Sequence, residues 1–229
     1  MNAPTFAQVV EQGSALQQQL PHLALIAVGG TAVALHCQHR VSLDVDAVTP
    51  LLQERYETVA ATLEQWEGWS TSRKNPPVLI LGLRQQRRAV PIQRTHRGGL
   101  VVATATEMLR VKAFLMAERR ATRDFVDVAA LTVLLGQTRA REALCYLNLV
   151  YGMTQPQSAL TRFAEASATE PHDLKAAPLS AYRGLRPPFT DWGFTANVCR
   201  RLAQDLLKLE LTGALPQKLD AGFFGEPTT

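Results

Sequence analysis

The sequence predicts an α/β (α+β) fold, in which an N-terminal sheet with helices precedes a helical C-terminal region. All runs with strand character fall within residues 1–105, and the chain beyond residue 139 is helical in pattern, broken by proline clusters. No internal repeat or low-complexity linker interrupts it. We therefore predict an α/β core over residues 1–105 and a helical region over residues 106–229 that completes the site.

The first elements follow from apolar spacing and from glycine and proline positions. Apolar residues at helical spacing predict a helix over residues 5–20, and the apolar run 23–28 predicts a buried strand. That strand ends in Gly29-Gly30, and a helix is predicted from Thr31. Alternating polar and apolar residues over 42–48 predict a second strand.

Later elements carry capping and turn signals. Thr49 and Pro50 are typical of a helix start, and this helix is predicted to reach Trp66. Residues 78–83 and 89–93 are predicted to form a hairpin, and residues 100–103 a further strand.

Two helices are then predicted in the middle of the chain. Thr104 and Glu107 have the spacing of a capping box, which opens a helix to about residue 118. A second helix covers roughly residues 122–135 and ends at Gly136, a natural C-cap.

Composition indicates a folded protein of a reducing compartment. The chain has 229 residues, of which 46% are hydrophobic and 19% charged, which suits a packed core rather than disorder. Its longest apolar runs are too short to cross a bilayer. Its three cysteines are odd in number and widely spaced, as for reduced packing thiols. We expect a cytoplasmic protein without a membrane partner.

The net charge of +4 is unevenly distributed. Residues 84–141 contain 12 Lys or Arg but only 4 Asp or Glu, and such a basic segment suits a polyanion such as RNA. The alternative is a solvated surface that serves only solubility. The candidate RNA-binding residues are Arg84, Arg87, Arg88, Arg94 and Arg97.

The most informative stretch is residues 27–48, AVGGTAVALHCQHRVSLDVDAV. A predicted strand delivers Gly29, Gly30 and Thr31 to a helix start, where close approach and unpaired N–H groups suit phosphates. Asp44 and Asp46 follow on a predicted strand, where residues two apart face one side. Two adjacent carboxylates suit Mg²⁺. A phosphate cradle beside a metal pair is what phosphoryl transfer requires.

This arrangement resembles the glycine-pair and Asp-x-Asp pattern of the DNA polymerase β-type nucleotidyltransferase superfamily. The segment GGTAVALHCQHRVSLDVD resembles the AbiEii/AbiGii-type nucleotidyltransferase toxins more closely still. It contains Arg40 and Ser42, which we assign to nucleotide binding. A later block, Glu107 to Asp127, matches the family's lysine helix followed by Arg-Asp-x-x-Asp. The resemblance implies a polymerase β-type sheet.

The resemblance also assigns roles in the later block. Lys112 corresponds to the family's nucleotide-phosphate lysine and Asp127 to its late acidic catalytic residue, while Arg123 and Asp124 flank them at the nucleotide. It implies Mg²⁺-dependent transfer from a nucleoside triphosphate (NTP) to an acceptor such as tRNA or other RNA. It further implies a toxin restrained by a cognate antitoxin protein.

One departure keeps a second interpretation open. Many superfamily members carry a third metal carboxylate on a later strand, but residues 89–94 contain no acid. The third carboxylate must then come from a helix, through Asp127 or Asp124. The alternative is a catalytically weak RNA- or protein-binding module on the same scaffold. We expect His36, Cys37 and His39 to be core residues, because no further ligand cluster accompanies them.

Overall fold

A computed structural model describes residues 4–65, 90–152 and 156–224. Within these residues the chain forms a four-stranded mixed sheet near the N-terminus and a mostly helical C-terminal region, so the predicted fold class is confirmed at this level. The strands are β1 Ile26–Val28, β2 Asp46–Val48, β3 Arg94–Arg97 and β4 Leu100–Ala103. The helices are α1 Phe6–Gln19, α2 Gly29–Cys37, α3 Leu52–Glu64, α4 Ala105–Arg119, α5 Thr122–Leu135, α6 Gln137–Leu144, α7 Leu147–Tyr151, α8 Ala159–Ser167, α9 Trp192–Leu211 and α10 Ala221–Phe224, with short 3₁₀ turns at Pro21–Leu23 and Leu179–Ala181.

The sheet has the order β2-β1-β4-β3. The central strand β1 pairs antiparallel with β2, which places Val28 opposite Asp46, and parallel with β4, which places Ala27 opposite Val102. Strands β3 and β4 form a hairpin whose turn is Gly98-Gly99, and both glycines have positive φ, of 57° and 84°. Such a two-residue turn matches the twist of the paired strands.

One hydrophobic core runs through both parts of the chain. Its buried members include Val28 and Val102 from the sheet, Met108 from α4, Phe125 from α5 and Leu206 from α9. Helix α2 contacts both α4 and α5, and those two helices contact each other most extensively. The start of α2 is therefore held directly against the helices that follow the sheet.

Several predicted elements are confirmed with small changes at their ends. Helix α1 is capped by Thr5, α4 by Thr104, and α5 ends at Gly136 as expected. Helix α2 begins at Gly29 rather than at Thr31. Helix α3 begins at Leu52, because the Thr49 hydroxyl donates to the Leu23 carbonyl at 2.5 Å and accepts from the Leu51 amide at 3.1 Å.

Two strand predictions need correction. The strand predicted over residues 42–48 is formed only at Asp46–Val48, and residues 90–93 precede β3 instead of forming a strand. The other predicted hairpin strand, residues 78–83, lies outside the described residues. None of the helices in the described ranges is long and apolar enough to cross a membrane.

The cysteines lie where packing thiols belong. Cys199 is buried, while Cys37 and Cys145 are half-buried, and all three are free thiols. Burial raises the pKa of the Cys37 and Cys199 thiols to about 12, so both are protonated at neutral pH.

Candidate functional site

The site begins where β1 ends and α2 starts. Gly29 has a φ of +68°, and a Cβ atom there would lie 2.0 Å from Asp46 Oδ2. A Cβ atom at Gly30 would lie 2.7 Å from Ser42 Oγ and 2.8 Å from Arg40 Nη2. Only glycine therefore allows these three side chains to close over the helix start. No side chain among the described residues caps this N-terminus, so its first amides are suited to binding an anion.

The two predicted metal carboxylates meet at this point. Asp46 is the first residue of β2, whereas Asp44 lies in the bend before it, so strand alternation does not account for their proximity. Instead, the Thr31 hydroxyl donates to the Asp44 carbonyl, and Ser42 Oγ donates to Asp44 Oδ1 at 3.0 Å. The loop between α2 and β2 is thereby fixed to the start of α2.

Both carboxylates are suited to a divalent cation. Their side chains are exposed, and neither forms an ion pair with any residue in the described ranges. The same ranges contain no group of three or more His, Cys, Asp or Glu that could hold a metal ion. Mg²⁺ commonly uses one or two carboxylates together with substrate phosphates and water. Asp44 and Asp46 fit that mode and not a closed metal cage.

Asp127 lies at the centre of a buried ion-pair network. Its Oδ1 atom accepts from His39 Nε2 and Arg40 Nε, each at 2.8 Å. Its Oδ2 atom accepts from Arg40 Nη2 at 2.9 Å and lies 2.7 Å from Lys112 Nζ. Since two carboxylate oxygens offer about four acceptor sites, these contacts use the full acceptor capacity of the Asp127 carboxylate. The prediction that Asp127 assists the metal or the acceptor stays a prediction, and the observed contacts favour a positioning role.

The electrostatics of Asp127 agree with this assignment. Burial alone would raise its pKa, but the charges of Lys112 and Arg40 and the hydrogen bonds from His39 and Arg40 hold the pKa well below its usual range. Asp127 is therefore ionised in the folded protein at neutral pH. Unpairing such a buried charge by removing a partner costs about 3–5 kcal/mol.

A second carboxylate lies three residues earlier on α5. Asp124 is fully buried and accepts two hydrogen bonds from Arg119, from Nε at 2.6 Å and from Nη2 at 2.9 Å. Lys112 Nζ lies 3.5 Å from the Oδ1 atom of Asp124, so its ammonium group stands between the two α5 carboxylates. Lys112 itself is buried on α4.

Arg123, the fourth predicted residue of this block, lies at the edge of the site. It is exposed on the first turn of α5. Burial alone would raise the pKa of Asp173, but hydrogen bonds from Thr122, joined by the charge of Arg123, lower it. Arg123 thus contributes to the electrostatics of Asp173, and within the described residues it forms no ion pair with Asp127.

The predicted RNA-binding residues are only partly described. Arg84, Arg87 and Arg88 lie outside the described residues. Arg94 and Arg97 are exposed on β3, the sheet edge opposite β2, and they pair with Ala103 and Leu100 at opposite ends of β4. Being three residues apart on a strand, they also face opposite sides of the sheet. The structure therefore does not bring these two arginines together.

Sequence reasoning missed two residues of the site. His39 is buried and bonded to Asp127, with no hydrogen-bond partner at Nδ1 in the described ranges. Arg119 is paired with Asp124 across the break between α4 and α5. The only sequence signal was proximity: His39 precedes Arg40, and Arg119 lies within the block from Glu107 to Asp127.

A C-terminal segment covers the His39 side of the site. The Val41 amide donates to the Arg183 carbonyl and the Arg186 amide donates to the His39 carbonyl, both at 2.9 Å. The ring of Phe189 meets the His39 ring edge-on at a centroid distance of 5.9 Å. Residues 183–189 thus form a wall of the site.

A separate cleft of about 650 Å³ lies at the start of α6. Arg110 and Phe223 line it together with Gly136 and Arg139, and none of the predicted site residues that the structure describes does. The guanidinium of Arg110 is engaged there, since its Nε donates to the Ala143 carbonyl at 2.9 Å and its Cζ atom lies 4.2 Å from the Phe223 ring centroid.

Comparison with models of protein families, with curated proteins and with solved structures finds no match for this chain.

Proposed function

We propose that this protein is a Mg²⁺-dependent nucleotidyltransferase that moves a nucleotidyl group from an NTP to an acceptor. The observation that carries the proposal is the glycine pair at the start of α2, which leaves room for Asp46, Ser42 and Arg40 directly above the helix N-terminus. This arrangement supports a phosphate-binding helix start beside a pair of carboxylates. Phosphoryl transfer depends mainly on such positioning and charge stabilisation.

The proposed reaction is a single displacement. An oxygen of the acceptor hydroxyl forms a bond to the α-phosphorus of the NTP, the bond to the β-phosphate oxygen breaks, and pyrophosphate leaves. The hydroxyl proton passes to solvent or to a basic oxygen in the site. The amides of Gly29 to Thr31 bind phosphate oxygens, and Lys112 and Arg40 balance their charge.

The charges of the site explain why a divalent cation is needed. Leaving His39 aside, Arg40, Lys112 and Arg119 face four carboxylates, Asp44, Asp46, Asp124 and Asp127. The protein alone would therefore repel a polyphosphate. Mg²⁺ held by Asp44 and Asp46 would reverse that balance, polarise the phosphate and promote loss of the hydroxyl proton.

The acceptor and the biological role are part of the same proposal. The resemblance to AbiEii/AbiGii-type toxins supports tRNA or another RNA as acceptor and a cognate antitoxin protein as partner. The excess of Lys and Arg over residues 84–141 supports a polyanionic acceptor as well.

The test is transfer of label from each NTP to total tRNA in the presence of Mg²⁺. We expect labelled RNA with the parent protein and none with the double variant Asp44→Asn, Asp46→Asn. The matched control is Glu57→Gln, which removes an exposed carboxylate on α3 and leaves transfer unchanged. Full transfer by the double variant would refute the proposed mechanism.

One observation favours a second candidate, an RNA- or protein-binding module with little catalysis. The four donors around Asp127 leave no third free carboxylate beside Asp44 and Asp46 in the described ranges. For this candidate, RNA or protein binding persists while no NTP supports transfer. The same labelling experiment, followed by an RNA gel-shift assay, separates the two.

A further inference from the structure

Two arginine–carboxylate pairs of the same kind lie on α5. Asp124 accepts from Arg119 Nε and Nη2 at 2.6 and 2.9 Å, and Asp127 accepts from Arg40 Nε and Nη2 at 2.8 and 2.9 Å. Both carboxylates are buried, so each fixes the plane of its guanidinium. The two arginines come from different elements, the end of α4 and the loop after α2.

Lys112 connects the two pairs. Its ammonium lies 2.7 Å from Asp127 Oδ2 and 3.5 Å from Asp124 Oδ1. Three cations, Arg40, Lys112 and Arg119, are therefore gathered around two buried carboxylates, so the cations outnumber the carboxylates that hold them.

Within the described residues, both arginines have N–H donors beyond those that bind the α5 carboxylates. A guanidinium has five N–H groups, and each pair here uses two of them. The Arg119 side chain is 29% exposed, whereas the carboxylate that holds it is fully buried. Arg40 lies directly over Gly30, with Nη2 2.8 Å and Nη1 3.3 Å from where a Cβ atom would be.

The electrostatics of Arg119 agree with this geometry. Its hydrogen bonds with Asp124 are the main cause that raises the pKa of its guanidinium, and the negative charge of Asp46 adds to it.

We propose that Arg119 and Arg40 form a clamp for the phosphate groups of an NTP, with Asp124 and Asp127 as positioning residues for the two guanidinium groups. The clamp deepens the proposed function, on which it rests. Planar guanidinium groups held at fixed angles match phosphate oxygens better than mobile lysines do. On this proposal the Arg-Asp-x-x-Asp block orients arginines instead of supplying a third metal ligand.

The test measures binding of inorganic triphosphate with Mg²⁺, which does not depend on the base of the nucleotide. We expect Arg119→Gln to weaken affinity by about tenfold or more, the scale of a charged hydrogen bond. Arg120→Gln is the matched control, since it removes the adjacent charge and leaves affinity within about twofold. Equal affinity of Arg119→Gln and parent would overturn the clamp.

A double-mutant cycle tests the positioning role of Asp124. If Asp124 acts through Arg119, the double variant Arg119→Gln, Asp124→Asn binds triphosphate as Arg119→Gln alone does. Additive losses would mean that Asp124 has only a structural role and would overturn its assignment. If Asp124→Asn fails to fold, Arg119→Gln against Arg120→Gln still decides the clamp, because Arg119 is partly exposed.

Different experimental results would refute the clamp and the proposed function. Triphosphate binding that depends on Arg119, without transfer from any NTP, supports the clamp and refutes the enzyme. Transfer by the parent with unchanged binding by Arg119→Gln refutes the clamp and leaves the enzyme. A parent protein that binds no triphosphate refutes both.

Discussion

At the scale of single residues, the start of α2 depends on what glycine lacks. Gly29 needs both a left-handed backbone and space, because Asp46 occupies the volume of its missing side chain. Sequence analysis predicted the glycines and the two carboxylates from their types and spacing, and Lys112 from the family resemblance. It could not predict that His39 and Arg40 meet Asp127, since 88 and 87 residues separate them and no local periodicity reaches that far.

The first prediction concerns Gly29→Ala, with Gly213→Ala as control. The two glycines have nearly equal φ, +68° and +67°, but a Cβ atom at Gly213 meets no atom of the described residues within 4 Å. Gly213→Ala should cost only the backbone strain of about 1–2 kcal/mol. Gly29→Ala should cost more and should abolish Mg²⁺-dependent triphosphate binding, because Asp46 must move. Urea denaturation and calorimetric binding measure the two effects, and wild-type binding by Gly29→Ala would contradict the prediction.

The second prediction concerns Asp127 and acid. Its pKa is lower in the folded than in the unfolded chain, because Lys112 and Arg40 outweigh the effect of burial. Its ion pairs therefore stabilise the fold above about pH 4, and that contribution is lost as pH falls through the folded pKa. Asp127→Asn should lower the free energy of unfolding at pH 7 by about 3 kcal/mol or more. It should also make that free energy depend less on pH in acid, because the variant has no carboxylate at this position to titrate.

Urea denaturation checks this prediction when it is repeated from about pH 2.5 to about pH 7, a range that spans carboxyl titration. Asp205→Asn is the control, because Asp205 lies 3.6 Å from a largely exposed Lys208 and such surface pairs contribute little. If Asp127→Asn kept the parent's stability at pH 7, the network would not stabilise the fold.

At the scale of elements, predictions succeeded where local signals agree. Helices α4 and α5 carry an N-cap threonine or a C-cap glycine together with long apolar faces, and their bounds were predicted within a residue or two. Strand β2 was predicted too long, because Ser42 and Thr31 bind the Asp44 region and bend it out of the strand. The hairpin at Gly98-Gly99 was missed, although two glycines between strand residues favour such a turn.

The third prediction concerns the N-terminus of α5. Its N-cap, Ala121, has no capping side chain, and Asp173 from a distant loop accepts from both the amide and the hydroxyl of Thr122 at 2.7 Å. Asp173→Ala should cost about 1 kcal/mol of stability, as loss of a cap does. Because α5 carries Asp124 and Asp127 in its first two turns, triphosphate affinity should also fall severalfold.

The control for this prediction is Asp191→Ala, which removes the cap that accepts from the Gly193 amide at the start of α9. It should cost a similar amount of stability and leave triphosphate affinity unchanged. Thermal melting and calorimetry provide both readings. Equal effects of the two variants on affinity would show that the Asp173 cap does not position the site.

At the scale of the whole molecule, the site is shared between the two predicted parts of the chain. Asp44, Asp46 and the start of α2 come from residues 1–105, whereas Lys112, Asp124 and Asp127 come from residues 106–229. Composition and periodicity could predict that the strands are confined to the first part of the chain and that the second part is helical, since strand and helix patterns are local properties of the sequence. They could not show that a single core runs through both parts, because that depends on tertiary packing.

The last prediction follows from this shared core. In the full chain, Val28 and Val102 from the sheet belong to the same buried cluster as Phe125 from α5 and Leu206 from α9. A fragment of residues 1–105 would expose that face of the sheet to water and leave Arg40 without Asp127, so it should not fold alone. The full chain should unfold in one transition, seen alike by circular dichroism and tryptophan fluorescence. A cooperative melt of the isolated fragment, or two separate transitions in the full chain, would instead establish residues 1–105 as an independent domain that brings its own half of the site.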